Sequence, residues 1–136
     1  MAKRIVLAVV LVFVAWEILD YVIHQVILSS AYEQTANLWR SPEEMNMVLL
    51  IIVALIVSFF FVYLYARLVS PKTMTNAVLY GLLLGCAFGI SMAYGTYAVM
   101  PIPYSMALVW FIGTLVEMVI GGVITGLIIK EEKAEA

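Results

Sequence analysis

Four long apolar runs separated by short polar interruptions set the pattern of this chain, at about residues 5–28, 45–68, 74–100 and 105–129. Each is long enough to cross a bilayer as a helix, which takes about 20 apolar residues. The second carries no charge between Glu44 and Arg67, the third none at all, and the fourth only Glu117. Apolar residues occupy every face of a helix drawn through these runs, so the surroundings must be apolar all round. The longest interruption is residues 29–44, and residues 130–136 form a short polar tail, KEEKAEA. The pattern predicts an all-α fold: one integral-membrane domain, a four-helix bundle. Short connections make neighbouring helices antiparallel.

The first run breaks the pattern. It reads IVLAVVLVFVAWEILDYVIHQVIL and contains Glu17, Asp20 and His24. At about 100° per residue, His24 lies about 20° and Asp20 about 60° from Glu17 around the helix. Val10, Phe13, Tyr21 and Leu28 fall on or near that stripe. A carboxylate at the centre of a membrane helix costs roughly 2.5–3.5 kcal/mol even on the lenient insertion scale. The stripe is therefore expected to face protein, water or a bound ion.

Depth brings in a fourth group. Glu17 lies 13 residues after Arg4, and Glu117 lies 13 residues before Lys130. At about 1.5 Å per residue, both glutamates sit roughly 20 Å from their basic anchors. This predicts one cluster in which Asp20 joins Glu17 to Glu117, with His24 about 10 Å nearer the far surface. Glu17, Asp20, His24 and Glu117 are thus a candidate proton or ion site, since intramembrane Asp, Glu and His chains are the usual relay parts. A transition metal ion is the candidate cofactor. Asp20 and His24 at i,i+4 can chelate, and an oxygen-rich site with one imidazole suits iron, manganese or zinc better than copper. Haem ranks lower, because one histidine per chain gives paired ligation only across a homodimer. In the structural alternative the acids share a proton and fix packing. No nucleophile-and-base pair of an enzyme stands out.

Glycines form a second pattern. Gly81, Gly85 and Gly89 recur every four residues in the third run; Gly113, Gly121, Gly122 and Gly126 lie in the fourth. Small residues at this spacing let helix backbones approach closely in lipid. In the first connection, Ser41-Pro42-Glu43-Glu44 reads as a helix start with Ser41 as cap, and Trp39-Arg40 as an interfacial anchor.

Composition agrees: 65% of residues are hydrophobic, 12% are charged, and the mean hydropathy is +1.10, far too few polar groups to cover a soluble domain. Lys3, Arg4, Arg67, Lys72, Lys130 and Lys133 fall on one side of four alternating helices and Arg40 on the other. Basic residues mark the cytoplasmic side, so both termini are expected there. The scattered basic residues give no nucleic-acid signature. The lone Cys86 excludes an intrachain disulfide. The first run exceeds the 7–15 residues of a signal-peptide core and reads as an uncleaved anchor.

Trp16-Glu17…Asp20-Tyr21…His24, Leu38-Trp39-Arg40 and Pro101-Ile102-Pro103 leading to Trp110-Phe111 and Glu117 resemble a group of short four-helix bacterial inner-membrane proteins of unknown function. The resemblance implies a small four-helix protein of the bacterial inner membrane and no activity. Two functions are expected: a membrane protein handling protons or a metal ion at Glu17, Asp20, His24 and Glu117, or an accessory subunit whose acids only fix packing. The expected partners are the lipid bilayer and either further copies of the chain or a larger membrane complex.

Overall fold

Backbone N–H and C=O groups in hydrocarbon find partners only within their own segment, so long apolar runs fold as helices. The computed structural model describes residues 1–131; Lys133 and the rest of the polar tail after Glu131 lie outside the described residues. Five helices organise it: α1 (Ala2–Ile27), α2 (Ser29–Gln34), α3 (Met47–Leu68), α4 (Met74–Val99) and α5 (Tyr104–Ile128). All but α2 are long and apolar enough to cross a membrane, and no strand occurs among the described residues. α1 and α4 each contain a wider π segment, Tyr21–Ile27 and Ile90–Tyr94.

The start of α3 differs from expectation. Ser41 does not cap it: Pro42–Glu44 closes a separate 3-10 turn, and Asn46 Oδ1 accepts from Leu49 N at 2.9 Å instead. The Glu43 carboxyl is held below the usual carboxylate range by its own backbone N–H and the Ser41 hydroxyl, and extended Met45 separates this turn from the start of α3.

α5 is the central helix, with α4 along one side and α1 along another, while α3 packs on α1. The glycines divide between these two contacts. A Cβ at Gly81 would collide with the backbone carbonyl of Met118, and one at Gly122 with that of Ala77. α4 and α5 therefore meet backbone to backbone. A Cβ at Gly113 would fall 2.8 Å from Ile23, and one at Gly121 2.9 Å from Trp16, so these two glycines receive α1. Gly85 and Gly89 face Leu115 and Phe111 of α5, and Gly126 faces Ala77 of α4.

Two cores result. One surrounds Trp16, Phe61, Tyr65 and Met118; the other joins Ile23, Leu28, Ile102, Met106 and Trp110 at the far end. At the end of the first core, Glu131 Oε1 accepts from Lys72 N at 3.2 Å, tying the end of α5 to the α3–α4 connection. α3 buries only residues of its C-terminal half, such as Phe61 and Tyr65; Val48 is 68% exposed.

The packing gives a direct test. Gly81→Ala should lower stability by about 1–3 kcal/mol, as overpacking does, although alanine is the better helix former. Gly95 has open space around it, so Gly95→Ala should stabilise by up to about 1 kcal/mol. Thermal unfolding in detergent reads both; equal shifts would show that α4 and α5 are not in backbone contact.

Candidate functional site

The site begins where α1 widens. Leu28 N bonds back to Ile23 O at 2.9 Å, the i→i−5 pattern of a π turn. Asp20 and His24, four residues apart, lie on neighbouring turns of one face of the helix. His24 Nε2 stands 3.5 Å from Asp20 Oδ1, with the side chains 31% and 47% exposed. That is an ion-pair distance rather than a tight hydrogen bond.

The other imidazole nitrogen meets the next segment of the chain. His24 Nδ1 lies 2.6 Å from the Tyr32 hydroxyl, and Trp110 Nε1 donates to the same hydroxyl at 3.0 Å. An indole N–H can only donate, so the Tyr32 oxygen accepts from Trp110 and its own O–H is available to His24 Nδ1, while Nε2 faces Asp20. Burial, followed by the nearby Asp20 charge, raises the Tyr32 phenol above its ordinary 10, and the Trp110 bond offsets part of this. It stays neutral at physiological pH and can both donate and accept.

Tyr32 is placed by α2 and by the turn at its C-terminal end. Thr35 Oγ1 donates to Ala31 O at 2.8 Å and accepts from Trp39 Nε1 at 2.9 Å. Trp39 stands edge-on to both Tyr32 and Trp110, with centroids 5.5 and 6.0 Å apart. Tyr32 therefore links His24 to an aromatic cluster at this end of the molecule.

Below His24 the polar chain continues into α5. The carboxyl groups of Asp20 and Glu117 are in side-chain hydrogen-bond contact, and Glu117 Oε1 is buried without a partner. Trp16 Nε1 donates to the backbone carbonyl of Glu117 at 2.6 Å. Gly121, one turn further along α5, leaves the room that indole needs. Trp16 and Asp20, four residues apart on α1, thus both address Glu117.

Glu17 lies elsewhere. Among the described residues it makes no side-chain hydrogen bond or ion pair, and it lines a shallow groove with Phe13, Val14, Ile18, Tyr21 and Val22. Equal depth places two groups at one level but not on facing sides. The face of α1 turned to α5 runs through Val12, Trp16 and Ile23, and Glu17 stands about 100° round from Trp16.

Among the described residues no three His, Cys, Asp or Glu side chains are close enough to hold a metal ion. Both nitrogens of His24, the chain's single histidine, face a partner. Tyr32, Trp110 and Trp16 were not legible as parts of the site. The signal available was that a buried indole or phenol needs a polar partner.

No family model, no curated protein and no solved structure matches this chain. Fold and site together define its class: an all-helical, multi-pass membrane protein with a polar chain running from Glu117 to Trp110.

Tyr32→Phe leaves the Trp110 indole and the His24 imidazole without their shared partner. It should destabilise by about 1–3 kcal/mol, whereas Tyr21→Phe, at a position 64% exposed, should change stability by less than about 0.5 kcal/mol. Because folding raises the Tyr32 pKa, its contribution is complete below the ordinary 10 and is lost as pH climbs toward the folded value. The difference between wild type and Tyr32→Phe in urea or thermal unfolding should stay constant to about pH 9 and narrow above 10. A difference independent of alkaline pH would show that the phenol is not buried in the network.

Proposed function

We propose that this is a proton-handling membrane protein in which Asp20 and Glu117 share a proton and exchange it with one membrane surface through His24 and Tyr32. The observation that carries this reading is the run of contacts Glu117–Asp20–His24–Tyr32. Two carboxylates in contact repel unless a proton or cation sits between them. With no third ligand nearby among the described residues, the proton is the better occupant. His24 suits transfer, because imidazole gains and loses a proton near neutral pH, and Tyr32 can pass one at its hydroxyl.

The proposal includes an orientation. The helices form an antiparallel bundle in the bacterial inner membrane, with both termini cytoplasmic and the His24–Tyr32 end outside. Support comes from Lys3, Arg4, Arg67, Lys72 and Lys130 lying at one end of the chain's path and Arg40 at the other, and from the link between Glu131 and the α3–α4 connection.

Infrared difference spectroscopy on the protein in vesicles tests the function. A step in external pH should change a protonated-carboxyl band that disappears in both Asp20→Asn and Glu117→Gln and persists in Glu17→Gln. His24→Ala should slow its response by about tenfold or more. A band that ignores external pH, or survives Asp20→Asn, would defeat the proposal. The competing role, an accessory subunit whose acids only fix packing, would be established by that silence together with a stoichiometric larger partner retained in mild detergent. Thiol labelling of Leu38→Cys from the cytoplasmic side would reverse the orientation.

A further inference from the structure

Two groups from different helices meet at the Tyr32 hydroxyl, and they approach it on different terms. His24 Nδ1 of α1 lies 2.6 Å from the oxygen, and Trp110 Nε1 of α5 lies 3.0 Å from it. An imidazole nitrogen can donate or accept, whereas an indole N–H can only donate. Trp110 is 7% exposed, set in the core formed with Ile102, Met106 and Ala107 and edge-on to Trp39. Its donor is therefore held in place. A phenol O–H lies near the plane of its ring and has two settings there. A donor that holds one of them leaves the hydroxyl hydrogen the other, toward the imidazole.

The far side of the imidazole agrees. His24 Nε2 stands 3.5 Å from Asp20 Oδ1, and an ionised carboxylate only accepts. A proton on Nε2 faces that acceptor. A proton on Nδ1 would instead set the bare Nε2 lone pair against a carboxylate and turn the Tyr32 O–H away from the ring. Among the described residues, Asp20 of α1 and Tyr32 of α2 are the titratable groups in contact with His24, and Glu117 of α5 lies beyond Asp20.

We infer that Trp110 is the positioning residue of this column: its N–H turns the Tyr32 hydroxyl toward His24 Nδ1 and so keeps the neutral imidazole's proton on Nε2, facing Asp20. The placement of these two hydrogens follows from geometry alone, whereas their use in transfer rests on the proton-handling proposal. In that use the Nε2 proton passes to Asp20, the Tyr32 proton replaces it at Nδ1, and water at the membrane surface returns a proton to the phenol oxygen. Without Trp110 the hydroxyl can turn and accept from Nδ1–H, which leaves Nε2 with no proton to give.

His24 is the chain's single histidine, so nitrogen-15 histidine in protein purified without a histidine tag reports this ring alone. Solid-state NMR in lipid vesicles, at a pH where the imidazole is neutral, separates the two tautomers, because protonated and bare ring nitrogens resonate far apart. The wild type should show Nε2–H in about tenfold excess or more. Trp110→Phe should raise the Nδ1–H share by about fivefold, the worth of one net hydrogen bond. Trp39→Phe removes a second indole N–H from the same cluster, one that serves Thr35, and should move the ratio by less than about twofold. In the infrared experiment, Trp110→Phe should slow the carboxyl response to external pH by about threefold or more. An Nδ1–H majority in the wild type would overturn the inference, and that measurement needs no variant. A ratio that Trp110→Phe leaves unchanged, or that Trp39→Phe shifts equally, would overturn it too, as would an unslowed carboxyl response in Trp110→Phe. A ratio that moves as expected beside a wild-type carboxyl band that ignores external pH would uphold the positioning and defeat only the proton-handling proposal.

Discussion

Close approach of helix backbones along α5 is the constraint on which the rest of the structure depends. Lipid is as apolar as a leucine side chain, so burying leucine between helices gains little there and association must come from contact and hydrogen bonding. α5 provides contact on two sides. Gly122 and Gly126 admit α4, whose Gly81 lies against the Met118 carbonyl; Gly113 and Gly121 admit Ile23 and Trp16 of α1. The second pair matters most for the site. Gly121 lets the Trp16 indole reach the Glu117 carbonyl, and that bond holds α1 at the rotation and height where Asp20 meets the Glu117 side chain. Packing by absent side chains thus positions the acids.

Polar groups that have entered the apolar region then dictate the structure above them. Asp20 and His24 are each partly exposed, and His24 meets the aromatic cluster of Tyr32, Trp39 and Trp110 through Tyr32. Its rings act less through area than through single polar atoms: the Tyr32 hydroxyl serves both Trp110 and His24, and Trp39 reaches back to Thr35. α2 is only six residues long and would not persist as an isolated helix. Leu28, Ala31 and Leu38 anchor it on the second core, and these bonds fix its register.

The four spans were legible because length and hydropathy alone decide them: residues about 45–68 read the same way in the sequence as α3 does in space. The rotation of α1 was not legible. In a soluble helix the apolar face marks the core, but both faces of α1 are apolar, so the wheel showed a polar stripe without showing which way it turned. Val10 and Tyr21, placed on that stripe, are 49% and 64% exposed, and Glu17, half-buried, lines an open groove beside Tyr21. Asp20, about 60° away, went inward. Depth counting flagged that an α1 acid would find Glu117, but it chose by level and named Glu17 beside Asp20, whereas contact is decided by angle. Tyr32 and Trp110 were hidden for another reason: they come from a connection and a distant span, and spacing relates residues only within one helix.

The π segment of α1 reconciles the two demands on this helix. From Ala8 to Trp16 the buried residues keep ordinary α spacing against α5 and α3. Continued unchanged, that spacing would carry His24 about 40° past Asp20 around the axis. Through the wider segment Tyr21–Ile27 His24 stays within 3.5 Å of Asp20 while Ile23 packs against Gly113. The segment offsets the hydrogen-bond ladder, so the helix ends at Leu28 and the chain can turn back over its own polar residues. A π turn inside a membrane helix gives up regular hydrogen bonding. In its place stands one column holding Glu117, Asp20, His24 and Tyr32. The polar groups that interrupt the apolar pattern thus lie where the helix also leaves regular α geometry.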